Sequence, residues 1–111
     1  MTEHQLTMVF AALADPVRRD IVTRLARGES TVNELAAPYS MSLQAVSKHL
    51  KVLEGAGLIT RSRDGQRRPC RLNPDALESP ALWMERFRQR KEEQFERLDA
   101  LLDSMSREKE E

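Results

Sequence analysis

The sequence predicts a mainly α protein with one small β-hairpin, a winged helix-turn-helix (α+β) of element order α-α-α-α-β-β-α that ends in a long C-terminal helix. Three observations carry that expectation. A short capped helix, a tight turn and a longer amphipathic helix follow each other across Val32 to Ala56, which is the helix-turn-helix unit. Two alternating segments rich in arginine come directly after it, around Asp64-Gly65, a strong hairpin turn signal. An apolar stripe then runs along residues 80–105, with no glycine or proline after Pro80.

The first helix is expected over about residues 3–13, where Leu6, Val9, Phe10 and Leu13 recur at helical spacing. Asp15-Pro16 starts the next, because an aspartate caps free N–H groups and proline suits the first helical position. Val17, Ile21, Val22 and Leu25 form its inner face, and Gly28 ends it. Thr31-Val32-Asn33-Glu34 fits a capping box, and Pro38 keeps the helix it opens short. Ser42 caps the fourth helix, whose inner face is Leu43, Val46, Leu50 and Leu53, with Gly55 and Gly57 closing it. Leu58 to Arg63 is the outgoing hairpin strand. Arg67 to Leu72 returns, as an edge strand because Pro69 lies in it. Ser79-Pro80 opens the last helix, about 37 Å long at 1.5 Å per residue, which is more length than so small a domain covers by itself.

The chain has 111 residues, 40% apolar and 32% charged, which fits one globular domain over 1–106. Its DNA-reading part is placed at about 31–72, with dimerisation by 3–13 and 80–105 and a frayed tail at 107–111. One cysteine, no secretory pattern at Met1 to Phe10 and no membrane-length apolar run favour the cytoplasm. The formal net charge is zero, yet it is unevenly spread. Residues 41–72 hold seven basic and two acidic side chains, residues 73–111 seven basic and eleven acidic. A local basic stripe, not the global sum, is what a phosphate backbone responds to.

With the fourth helix seated on its leucines, Gln44, Ala45, Ser47, Lys48 and Lys51 face outward, and His49 lies at the boundary. Glutamine suits adenine, lysine guanine or phosphate, serine either donor or acceptor, and alanine a thymine methyl. The DNA-contacting set is therefore Ser42, Gln44, Ala45, Ser47, Lys48, His49 and Lys51, joined by Arg61, Arg63, Arg67 and Arg68 of the wing. Leu6 and Phe10 with Trp83, Phe87, Phe95, Leu98 and Leu102 are the expected dimer interface. The partners are thus double-stranded DNA and a second copy of the chain, and no membrane. A two-fold dimer implies an inverted-repeat operator. Repression is the expected outcome, because a compact protein with no spare domain acts by occupying a promoter.

Leu13-Ala14-Asp15-Pro16-Val17-Arg18-Arg19-Asp20-Ile21, Glu34-Leu35-Ala36, Val46-Ser47-Lys48-His49-Leu50-Lys51-Val52-Leu53, Ala56-Gly57-Leu58-Ile59 and Asp64-Gly65-Gln66-Arg67-Arg68 resemble the ArsR (ArsR/SmtB) family of bacterial transcription regulators, over about residues 5–75. The resemblance implies a winged helix-turn-helix dimer paired through its terminal helices, and in most members a repressor released from DNA by a signal. Metal-sensing members carry cysteines just after Glu-Leu, or histidines and carboxylates on the terminal helix. Here the first place holds Ala36 and Ala37, and the terminal helix has neither His nor Cys. No metal or other cofactor is expected, and the signal is something else or comes through a sensing partner protein.

Other readings of single residues stay open. His49 is a DNA contact or a helix-packing residue, and His4 is solvated or joins terminal carboxylates across a dimer. Cys70, which shares a hairpin face with Leu72, is a half-buried inert thiol or a redox switch. Trp83 and Phe87 are dimer core or line a small-molecule pocket. The wing arginines grip DNA or guard a solvated edge. For the whole chain the alternative is an interaction module without DNA binding. An enzyme is not expected, since no nucleophile can be matched with a base.

Overall fold

A computed structural model of the protein describes residues 2–63 and 67–110. The elements are α1 (Glu3–Leu13), α2 (Pro16–Leu25), β1 (Ser30–Thr31), α3 (Val32–Ala36), α4 (Leu43–Gly55), β2 (Ile59–Arg61), β3 (Pro69–Leu72), a 3-10 turn (Pro74–Leu77) and α5 (Glu78–Glu110). The fold class is the one expected, a winged helix-turn-helix with a long final helix. The Asp64-Gly65 turn lies outside the described residues.

Side-chain caps fix most helix starts. Thr2 and Gln5 form a capping box on α1 that the sequence reading did not include. Asp15 Oδ1 accepts from the N–H groups of Val17 at 2.8 Å and Arg18 at 3.1 Å, with Pro16 in the first turn of α2. Ser42 Oγ accepts from Ala45 N–H at 3.1 Å at the start of α4. That helix ends where Gly57, at φ 77°, takes a left-handed turn that other residues resist. The N–H of Leu58 reaches Leu53 O and that of Gly57 reaches Glu54 O, both at 3.0 Å, so the last carbonyls are satisfied in a Schellman motif.

Val9, Ala12, Ile21, Leu25, Leu35, Val46, Leu50, Leu53, Leu58, Ile59, Cys70 and Ala76 make the core. Each fully buried large aliphatic side chain contributes about 1.5–3 kcal/mol. Leu43 is the exception on the expected inner face of α4. It stands 50% exposed, because it is the first residue of the helix and projects past the end of the core. Cys70, expected half-buried, is fully enclosed.

The sheet corrects two expectations. It has three antiparallel strands in the order β1-β3-β2, not a lone hairpin. β1 pairs Ser30 with Cys70 and Thr31 with Pro69; two residues are too few to display an alternation in sequence. β3 is therefore central and not an edge. Pro69 is tolerated because it is the first residue of the strand, a position where a missing N–H is acceptable, and its carbonyl still accepts from Ser62 N–H at 3.1 Å.

By its internal contacts the chain divides into two compact units, Met1–Pro80 and Ala81–Glu111. α5 continues to Glu110, past the expected end near residue 105 and through most of the tail expected to fray, since no glycine or proline interrupts it. Its 33 residues correspond to about 50 Å.

Candidate nucleic-acid interface

The recognition surface begins with the way α4 is held. α3 is locked by its capping box: Thr31 Oγ1 accepts from Glu34 N–H at 3.2 Å, and Glu34 Oε1 accepts from the Thr31 hydroxyl at 2.9 Å. The Thr31 hydroxyl and the Thr31 N–H, which donates to the same Oε1 at 3.3 Å, with the Arg67 guanidinium adding to them, hold the Glu34 carboxyl below the usual carboxylate range. Arg24 donates to Leu35 O at 2.9 Å and Glu34 O at 3.0 Å at the other end of α3 and lies over the Tyr39 ring. The Tyr39 hydroxyl donates to Asp20; burial first, and then that carboxylate, pushes its pKa up. The turn between α3 and α4 is thus tied to α2.

Arg18, half-buried, and Arg19, exposed, both reach back to α1. Arg18 Nε donates to Ala12 O at 2.6 Å, another of its nitrogens to Ala11 O at 3.2 Å, and Arg19 to Leu13 O at 2.8 Å. They satisfy the open carbonyl end of α1, a place that favours cations. Arg18 also donates to His49 Nδ1 at 3.3 Å, which requires that nitrogen to be an acceptor. His49 Nδ1 is 3.9 Å from Asp15 Oδ1. His49, 21% exposed, therefore faces the start of α2.

The row expected to face outward is only partly exposed. Gln44, Lys48 and Lys51 are exposed, Ala45 and Ser47 are half-buried beside them, and Ser42 is exposed at the cap. The five wing arginines divide. Arg61 folds back on α4, with its Nε 3.8 Å from Glu54 Oε2 and one nitrogen 3.5 Å from Ser47 O. At 25% exposure it is the least open of the wing arginines expected to contact DNA. Arg71 pairs with Glu29 at 2.5 Å. Arg67, 61% exposed, lies 3.5 Å from Glu34, and such an exposed pair is weak. Arg63 and Arg68 are exposed, with no carboxylate within ion-pair distance among the described residues. Cys70 sits under the sheet, and burial pushes its thiol pKa up, away from the thiolate a redox switch needs.

α5 has a different surface. Trp83, Phe87, Phe95, Leu98 and Leu102 stand about half exposed, joined by Leu82, Met84, Leu101 and Met105. Leu82, Met84 and Leu101 were missed in the sequence; Met84 and Leu101 belong to the same stripe. The Trp83 and Phe87 rings stack at 5.7 Å and 8°. Leu6 and Phe10 on α1 are partly exposed, and His4 is exposed. Among the described residues no cluster of three or more His, Cys, Asp or Glu side chains could hold a metal. None of their helices is long and apolar enough to cross a membrane.

Residues 13–62 match the model of a helix-turn-helix domain. The HTH-type transcriptional regulator Rv2034 of Mycobacterium tuberculosis is 46% identical over 76 residues, 68% of this chain and 71% of that protein. The solved structure of an ArsR-like transcriptional regulator from Rhodococcus sp. RHA1 superposes with a TM-score of 0.69 at 34% identity, covering 88% of this chain and 90% of that one. The homodimeric winged helix-turn-helix DNA-binding domain Mb0332 of Mycobacterium bovis gives 0.63 at 33% identity, over 73% and 76%. Further relatives from Bacillus subtilis and Mycobacterium tuberculosis are named transcriptional repressors.

Fold, capped recognition helix and relatives together define a DNA-binding transcriptional regulator, not an enzyme. The chain belongs to the ArsR/SmtB family of winged helix-turn-helix regulators.

Proposed function

We propose that this regulator binds an inverted-repeat operator as a homodimer and represses transcription by occupying it. The observation that carries the reading is the outward row of α4, where Gln44, Ser47, Lys48 and Lys51 lie on one face next to a wing that presents Arg63, Arg67 and Arg68. Gln44, Ala45 and Ser47 read base edges, and Lys48 and Lys51 reach guanine or phosphate. Ser42 holds the first turn and offers its hydroxyl to the backbone. The wing arginines grip phosphates. Arg61 and His49 position this surface from behind.

The second copy covers the apolar stripe of α5; Leu6 and Phe10 of α1 are further dimer contacts in this reading. A row of half-exposed aromatic and aliphatic side chains along one helix is more apolar surface than a monomer keeps in water. Homodimeric assembly of a solved relative supports this. A signal that changes the pairing of the α5 helices changes the spacing of the two recognition helices and so the affinity for DNA.

Selection from a random duplex library tests the proposal. The expected product is an inverted repeat whose half-sites are about one helical turn apart, roughly 34–36 Å. A single unrepeated site, or no enrichment, contradicts it.

A further inference from the structure

Leu43 departs from the pattern of its own helix. The spacing Leu43, Val46, Leu50, Leu53 assigns it to the core, and its three companions have no exposed surface, yet Leu43 is half exposed. A single exposed leucine is ordinary; the setting of this one is not. It is the first residue of α4, directly after the Ser42 cap. It lines an open groove of about 460 Å³ shared with Asn33 of α3 and with Arg67 and Arg68 of the wing. Glu34 also lines it and pairs with Arg67 at 3.5 Å, so Arg68 is the guanidinium most free to meet a phosphate backbone. The first turn of a recognition helix is the part that meets base edges, and the apolar group displayed there is the thymine C5-methyl.

We infer that Leu43 is a specificity-determining residue that packs on a thymine methyl in each half-site, beside the base read by Gln44. This rests on α4 being the recognition helix. Ala45, half-buried on the same turn, is the other apolar side chain in reach, but its single carbon extends less far from the helix. Loss of one buried methyl group lowers affinity about fourfold, hence about fifteenfold when both half-sites of a symmetric operator lose it.

The test is deoxyuridine scanning. Thymines of an operator selected from random duplexes are replaced by deoxyuridine in symmetric pairs, and binding is followed by fluorescence anisotropy. The wild type is expected to lose about fifteenfold at one pair. Leu43→Ala should bind thymine and uracil equally at that pair while keeping any sensitivity it has elsewhere, and Leu43→Met should retain the discrimination. Urea unfolding of each variant separates lost contact from lost fold; if Leu43→Ala is unfolded, Leu43→Gln replaces it, with the same expectation. Unchanged uracil sensitivity in the folded variant, or a wild type indifferent at every thymine, overturns the assignment of Leu43. A wild type that does not distinguish operator from scrambled DNA overturns the reading of α4 itself, and Leu43 falls with it.

Discussion

α4 and α5 are both amphipathic helices, and they leave opposite surfaces in water. α4 buries Val46, Leu50 and Leu53 completely within its own unit and presents glutamine, serine and lysine. α5 presents Trp83, Phe87, Phe95, Leu98 and Leu102 about half exposed, with its charges around them. Helical periodicity states which residues share a face; it does not state what covers that face. For α4 the cover is the rest of the fold, so its outer face is available to DNA. For α5 it is, in our proposal, a second copy.

The most forceful way to break this contrast is to cut into each face. Leu50→Ala should lower unfolding free energy by about 2–5 kcal/mol in urea titrations, equally at low and high protein concentration. Phe87→Asp combined with Leu98→Asp should instead reduce the light-scattering mass from two chains to one, with helical circular dichroism of the first unit retained. A concentration-independent loss from both substitutions would put the α5 stripe in an intramolecular core.

A finer test separates reading from gripping on the α4 side. Gln44→Ala should cost about 1–3 kcal/mol on operator DNA and relax preference at one position per half-site. Arg67→Ala should weaken binding to every sequence alike and make the log–log salt slope shallower by about two, one contact from each protomer. Arg61→Ala should leave that slope unchanged and lower thermal stability, since Arg61 braces Ser47 and Glu54. Parallel effects of all three substitutions would erase the distinction.

Several parts of this arrangement were legible in the sequence because their causes are local. Asp15, Thr31 and Ser42 cap within three residues of themselves, and Pro38 stops α3 within its own turn. What was not legible depends on distant partners. β1 exists only because Cys70 and Pro69 come to lie beside Ser30 and Thr31, and the same pairing makes β3 central. The contacts of Arg18 and Arg19 with the carbonyl end of α1 depend on how α1 and α2 pack. Arg61 and His49 fit a DNA-contacting pattern by spacing; their approach to Glu54 and Asp15 is set by packing that spacing does not state. Leu43 fits the core period, but the core ends before it.

pH adds a smaller test of the scaffold. The N–H groups of Arg18 and Val17 hold Asp15 below its ordinary value of 3.8. Hydrogen bonds from Thr31 hold Glu34 below 4.5, and Arg88 does the same for Glu85 in α5. A depressed folded-state pKa gives stability that is present above the unfolded value and lost as pH falls through the folded one. The urea midpoint should therefore decline as pH drops from about 5 towards 3, and Asp15→Asn, which keeps a capping oxygen, should flatten part of that decline. A midpoint that rises on acidification would contradict it. Smallest of all is the expected response to zinc, nickel or EDTA, which is none, since Ala36 and Ala37 offer no ligand atoms. A tenfold change in operator affinity would bring in His4 and the α5 carboxylates.

The central claim is that a basic wing and a polar recognition row read a defined sequence. Fluorescence anisotropy on a selected operator and on scrambled DNA, across a salt series, tests it most directly. The expected result is a preference of about 10³ or more at physiological salt, with a log–log slope near −7 for about four phosphate contacts per protomer. Equal affinity for both duplexes, or a slope near zero with affinity retained, would contradict it.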